Sequence, residues 1–380
     1  MVKSNCVNPL LWRDQCNVSP MNLFIAWIAR IAVLSFLIMA CVSEAHAEVW
    51  DGLNDPSQFD LDQSYQTNFA ALPLHAALKT PPWSETYWPS YRGSINIRWS
   101  SPGQDGFNYS TPTLTQAKAM SIDQLKQLSP TEKYDLYLGK YDYPIHTEVK
   151  RYTNLLADQY TGLCDGWAIA STQYAEPKPI TLANPDGILI PFGSSDVKAL
   201  MTFAAEYYFA RDSSVVGKVC MTSPTSTPAE IAQCSGMNAG AMHLILSNEI
   251  GLKGAPFIAR KEPFNQIWHQ PVSAYDSAVT GSALSNVPGA TGVQVRTVLT
   301  YSEDLDESFW NPVIGTANFH SNHINMDYIL DVDANGDIMG GTWTKGSQRP
   351  GYFWRPIHHL TFSGKWSGLN QIYRAQTLKE

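Results

Sequence analysis

The chain has 380 residues, 44% of them hydrophobic and 16% charged, with a formal net charge of −8. Its 12 Trp, 18 Tyr and 14 Phe exclude a disordered chain, which is poor in aromatics. The acidic balance excludes nucleic acid as a partner, which needs a basic footprint, and the chain carries no nucleotide- or phosphate-binding glycine fingerprint, so no cofactor is expected.

Leu23 to Ala29 and Ile31 to Val42 form an apolar stretch broken by Arg30, followed by the small-x-small run Ala45-His46-Ala47. This reads as a signal peptide over residues 1–47, with Met21 as an alternative start, and implies a secreted or periplasmic protein. Arg30 argues against a membrane span, because charge near the centre of a bilayer is expensive. Ile38-Met39-Ala40-Cys41 loosely resembles a lipidation site, so a membrane is expected as a partner only if Cys41 is lipidated. Cleavage after Ala47 leaves Cys164, Cys220 and Cys234. Cys220 and Cys234 close a short Thr-, Ser- and Pro-rich loop and are the natural disulfide in an oxidising compartment. Cys164 is then the odd thiol, kept either for a use or as a small buried hydrophobe.

Residues 48–120 are polar, aromatic and turn-rich, as in Thr80-Pro81-Pro82-Trp83 and Ser101-Pro102-Gly103, and are expected to form an irregular N-terminal extension that wraps a core. Helical patterning begins near Ser121, and Ser129-Pro130-Thr131-Glu132 signals the start of a helix running to Leu138. Ala168 to Ala175 is expected to be a buried helix. Lys178 to Ile190 is expected to be a hairpin around Asn184-Pro185-Asp186-Gly187. Ser195-Asp196 is expected to cap a helix over residues 197–209. His243-Leu244-Ile245-Leu246, residues 255–259 and residues 294–301 read as strands. Residues 326–333 and 338–343 read as a hairpin around Asn335-Gly336. The sum is an α+β fold with a catalytic domain over residues 121–380, a nucleophile at a helix N-terminus and a His on an antiparallel sheet.

Acyl transfer by a thiol needs an ionisable sulfur, a histidine within reach and a third group to orient the ring. Cys164 opens the helix that follows Gly162, where the positive end of the helix dipole favours thiolate. Gly166 suggests that backbone space is needed beside it. Trp167 is expected to wall the site and exclude water. His243, entered through Gly240-Ala241, is the candidate base, and Glu262 is the candidate orienting acid, with Asn265 and Asp327 as competitors. Asp331 to Asp337 resembles a calcium loop, but Thr342 stands where the bidentate acid belongs, so a hairpin turn is expected. His320, His323, His358 and His359 lack a companion set, and no metal is expected.

Several segments together resemble the transglutaminase elicitor family. They include Ser129 to Tyr137, Gly162-Leu163-Cys164-Asp165-Gly166-Trp167-Ala168, Pro191 to Leu200, Ala241 to Asn248, Trp268-His269-Gln270-Pro271 and Gly340-Gly341-Thr342-Trp343, spread over residues 129–356. The resemblance implies a protein-glutamine γ-glutamyltransferase. Cys164 would be its nucleophile and His243 its base, with Trp167 and Trp268 near the substrate. The partners it implies are proteins with accessible Gln and Lys. Two residues depart from the family's pattern. Asp165 follows the nucleophile where His is expected, and His269 stands where the family runs Trp-Asn-Gln-Pro. A carboxylate beside the thiol would raise its pKa. A papain-like cysteine peptidase and a non-catalytic surface or matrix-binding protein stay open beside the transferase.

Overall fold

The computed structural model describes residues 50–101, 108–209, 212–218, 236–262 and 268–377. The expected signal peptide, Cys41, Asn265, Cys220 and Cys234 lie outside the described residues.

The strongest start signal acts where the sequence puts it. Ser129 caps helix α3 (Pro130–Tyr137), its hydroxyl accepting from Glu132 N while the Glu132 carboxylate accepts from Ser129 N. Ahead of it lie α1 (Leu114–Ala119) and α2 (Ile122–Lys126), each opened by a Thr or Ser capping box. Helix formation therefore begins several residues before Ser121. After α4 (Pro144–Tyr152) come α5 (Cys164–Gln173) and α6 (Ser194–Tyr208). A short strand, β1 (His75–Ala77), precedes all of them, and the hairpin β2 (Ile180–Ala183) and β3 (Leu189–Phe192) separates α5 from α6. The cap of α6 is Gly193, whose N–H donates to Asp196 Oδ2 at 2.7 Å, so Asp196 acts from inside the first turn.

The large sheet is antiparallel throughout. It contains β4 (Ser213–Gly217), β5 (Phe257–Arg260), β6 (His269–Leu284), β7 (Thr291–Ser302), β8 (Ser321–Val332), β9 (Ile338–Trp343) and β10 (Tyr352–Pro356), in the order β4-β10-β5-β6-β7-β8-β9, with β1 added against β6. The expected hairpin around Asn335-Gly336 joins β8 to β9. In β7, Val295, Thr297 and Leu299 are buried while Arg296 points outward, as the alternation requires.

Alternation also gives the sheet two covered faces. Ile258 and Trp354 join a core built with Trp83, Trp167, Phe192 and Phe203 on the helical side. Phe257, Ala259 and Phe353 join a second core with Leu244 on α7 (Ala239–Ile245). The extension contributes to the first core through Trp83, Trp88 and Ile95. The segment His243 to Leu246 is not a strand: α7 begins at Asn238, whose side chain accepts from Gly240 N and Ala241 N, and runs on into a π-helical turn over Leu246–Lys253. Every residue from Ala239 to Ile250 is buried, so no polar face marks the helical period in the sequence.

Helices α5 and α6 meet at Gly166. A Cβ there would lie 2.2 Å from Thr202 O and 2.9 Å from Glu206 Cβ, contacts that backbone cannot yield cheaply. Gly166→Ala should therefore destabilise the protein by about 1–3 kcal/mol through overpacking. Urea unfolding would read this as a lower midpoint with an unchanged slope, and an unshifted midpoint would refute it.

Candidate functional site

Cys164 is the first residue of α5 and is half-buried. Its thiol donates to Asp165 Oδ1 at 3.5 Å, and it also accepts from the backbone N–H of His269. The same Asp165 oxygen lies 2.5 Å from His269 Nδ1. The other ring nitrogen, Nε2, lies 2.8 Å from the Tyr352 hydroxyl. The chain thus brings a thiol, a carboxylate, an imidazole and a phenol into one line, from the head of α5 to the start of β6 and across to β10.

Strand register explains why these groups converge. His269 pairs with Arg260, and Arg260 pairs with Tyr352, so three side chains from adjacent strands share the helical face of the sheet. The His269 ring packs edge-on to Trp354, 5.3 Å between centroids. A cavity of about 340 Å³ opens here, its lining including Asp165, Glu206, Phe209, His269, Tyr352 and Trp354.

The field at the thiol differs from the sequence expectation. Burial pushes the Cys164 thiol well above its ordinary range, and the charges of Asp165 and Glu206 push it further; the His269 N–H pulls the other way. The helix terminus does not overcome these effects, so the resting residue is a thiol. The warning that Asp165 would raise the thiol pKa is thus met. At the same turn the Gly166 N–H donates to Glu206 Oε2 at 2.8 Å.

Other candidates from the sequence lie elsewhere. His243 is fully buried in the second core. Its Nδ1 is 2.7 Å from Tyr328 OH, which is 2.6 Å from Thr297 Oγ1, and its ring packs on Phe69; it makes no contact with Cys164. The imidazole beside the candidate nucleophile is His269. Glu262 is exposed just beyond β5, and the carboxylate on the imidazole is Asp165 instead. Asp327 pairs with Arg296 on the sheet. Trp167 is 1% exposed and donates its Nε1–H to Trp83 O at 3.0 Å, so it supports the core and does not wall the cavity. Trp268 is half-buried and packs edge-on to Tyr87, 5.7 Å between centroids. Among the described residues, no group of three or more His, Cys, Asp or Glu is arranged for a metal ion, and no helix is long and apolar enough to cross a membrane.

The placement of His243 has a measurable consequence. Burial holds its imidazole down at about 4, against about 6.5 in the unfolded chain. The unfolded state therefore takes the proton first. The contribution is intact above about pH 6.5 and is lost progressively as pH falls towards 4, in total about 3 kcal/mol. In His243→Leu, the loss of stability between pH 7 and pH 4.5 should be smaller by most of that amount in urea unfolding. An identical pH slope in both proteins would contradict it.

The sequence carried one signal for the pair that reasoning from motifs missed. The two positions that depart from the family's pattern, 165 and 269, touch each other. An imidazole missing after the nucleophile reappears on the facing strand, against the carboxylate that replaced it.

Comparisons with known proteins agree with this architecture. The family model described as transglutaminase elicitor matches residues 57–363, so the match takes in most of the N-terminal extension and starts well ahead of residue 129. A search of curated proteins finds no match. Among solved structures, the fold is similar to the crystal structure of the GP42 transglutaminase from Phytophthora sojae. The TM-score is 0.64 at 17% sequence identity, covering 87% of this chain and 99% of that one. With a match that spans most of its length, the chain belongs to the transglutaminase elicitor family.

Proposed function

We propose that this protein is an exported protein-glutamine γ-glutamyltransferase, with Cys164 as nucleophile and the Asp165–His269 pair as proton acceptor. The observation that carries the reading is one shared oxygen: Asp165 Oδ1 takes the hydrogen bonds of both the Cys164 thiol and His269 Nδ1, beside a cavity, in a chain of this family. The apolar stretch before Ala47 supports export, and proteins with accessible Gln and Lys are the proposed substrates.

The chemistry follows from the order of groups. As a glutamine carboxamide enters, the thiol proton passes to the Asp165–His269 pair and Sγ attacks the carboxamide carbon. The C–N bond then breaks, the proton returns to the departing nitrogen, and ammonia leaves a thioester on Cys164. A lysine amine attacks that thioester, breaking the C–S bond and forming an isopeptide link; water in its place gives glutamate. Trp268, on the strand start beside His269, is the proposed substrate contact. Because the resting thiol is held protonated, ionisation is coupled to substrate entry, which displaces water and rearranges the hydrogen bonds around Asp165.

The test is incorporation of a tagged primary amine into a glutamine-containing protein, with ammonia release followed in parallel. Absence of both from the reduced protein, with residues 1–47 removed, ends this reading. Peptide cleavage without incorporation would assign a peptidase instead.

A further inference from the structure

A second cavity, of about 380 Å³, borders the segment that leads into Cys164, and the proposed reaction gives it no part. Its walls come from the extension around Trp88 and Ser94, from the end of α4 and the loop after it, and from residues 161–163. Ser90 N donates to Thr161 O at 2.8 Å and Leu163 N to Tyr87 O at 2.7 Å, which fastens the extension to that segment.

Two of the wall residues are unfavourable where they stand. Trp88 and Ser94 are each 3% exposed, and the Trp88 Nε1–H and the Ser94 hydroxyl find no hydrogen-bond partner among the described residues. Buried polar groups are nearly always paired, so each calls for a partner that the chain does not supply. Both residues also hold a left-handed backbone, with φ of 50° at Trp88 and 54° at Ser94; among the described residues Tyr143 is the one other non-glycine residue to do so. Strained residues of this kind persist where their surroundings enforce them, and ligand clamps are one such place.

The walls indicate what would complete them. Trp88 Nε1 only donates and the Asp158 carboxylate only accepts, while Ser90, Ser94 and Thr161 bring hydroxyls and Asn154 an amide. Among the described residues Asp158 is the single charged side chain on the lining, so no cation is there to hold an anion. A wall that mixes donors with acceptors suits hydroxyl groups, each of which gives and takes a hydrogen bond at one oxygen. Tyr152 and Tyr207 line the same cavity, both exposed, with ring centroids 4.3 Å apart. Both pack on the fully buried Phe203, at 6.0 and 4.7 Å, and so form a fixed aromatic platform on which the C–H face of a sugar ring can lie.

We propose that this cavity binds a neutral saccharide, with its ring C–H groups against Tyr152 and Tyr207 and its hydroxyls on Trp88 Nε1, Ser94 and Asp158. A glycan held here lies beside residues 161–163 and brings the protein that carries it up to Cys164, where tethering raises its effective concentration. That purpose rests on the acyl-transfer reading, but saccharide binding is measured without turnover, so the two fail separately.

The experiment is calorimetric titration of the protein with cellotetraose, laminaritetraose and chitotetraose. Tetragalacturonate serves as the acidic control and an unglycosylated peptide containing glutamine and lysine as the polypeptide control. At least one neutral tetrasaccharide should bind, and tetragalacturonate should bind more weakly, because Asp158 and the net charge of −8 repel it. Tyr152→Ala should weaken binding about tenfold through loss of the platform. Ser94→Gly should weaken it about fivefold, the worth of one hydrogen bond. The urea midpoint of Ser94→Gly should hold or rise, since glycine takes the left-handed backbone without strain and the unpaired hydroxyl is gone. A hydroxyl with a purely structural role would lower that midpoint instead, and that result overturns the proposal. So does the absence of binding by all three neutral tetrasaccharides at millimolar concentration, or wild-type affinity in both variants. Binding of the peptide in their place, lost in Tyr152→Ala, would assign the cavity to polypeptide and equally overturn it.

Discussion

His269→Ala should lower amine incorporation by about 10²–10⁴-fold, the usual range for losing a positioned acid–base group, and Cys164→Ala should lower it to background. His243→Leu and Glu262→Gln should leave turnover at neutral pH close to wild type, because one is sealed in the second core and the other is exposed away from the carboxylate that holds the imidazole. The contrast decides between two histidines that the sequence alone ranks the other way. Asp165→Asn separates the roles further. It removes a charge that pushes the thiol up, so alkylation of Cys164 by iodoacetamide near neutral pH should become faster, while transfer should fall because the proton path through Oδ1 is lost. A His243 variant that loses activity with an unchanged melting profile would move the base back to that residue and sink the present assignment.

The parts of this fold that the sequence disclosed are those set by local chemistry. The capping box at Ser129 and Glu132 forms as read, and both hairpins close at glycines with positive φ, Gly187 at 78° and Gly336 at 89°, where a Cβ would be strained. What stayed hidden depends on distant surroundings. Strand β6, which delivers His269, has its first five residues buried on both faces, contains Pro271, and ends in small residues that are largely exposed, so no alternation of period two runs through it. Its polar interior is satisfied only across strands, as where Ser277 and Thr297 meet at 2.7 Å. Helix α7 was hidden for the complementary reason, being buried on all sides. The candidate nucleophile could be picked out because Gly162, Cys164 and Gly166 sit together in the chain. Its partner was not, since 104 positions separate Asp165 from His269 and only the register of β5, β6 and β10 brings the imidazole to the carboxylate.

Lys198→Ala should cost about 3–5 kcal/mol, the range for removing one member of a buried charge network. Lys198 is fully buried in α6, 2.7 Å from Glu176 Oε1, 3.5 Å from Glu85 Oε2 and within hydrogen-bond distance of Ser84 O at 2.9 Å. Removing it leaves two buried carboxylates facing each other with their cation gone. Burial already pushes Glu85 up, and Lys198 is the main influence holding it down, so Glu85 would take up a proton in the variant. A second buried pair, Asp196 of the same helix with Lys133 of α3 at 2.7 Å, stays intact, and the variant should therefore be less stable yet still folded. The consequence reaches the site because α6 also carries Glu206, which holds the Gly166 N–H at the head of α5. Loosening α6 should lower amine incorporation together with stability. The control is Lys198→Met combined with Glu85→Gln, which keeps the volume and removes one of the stranded charges; it should recover part of the loss. Urea unfolding of the three proteins at pH 7.5 gives the answer, and a single variant within about 1 kcal/mol of wild type, the level of an exposed ion pair, would show that water reaches this network and that it does not pin the extension to the helix.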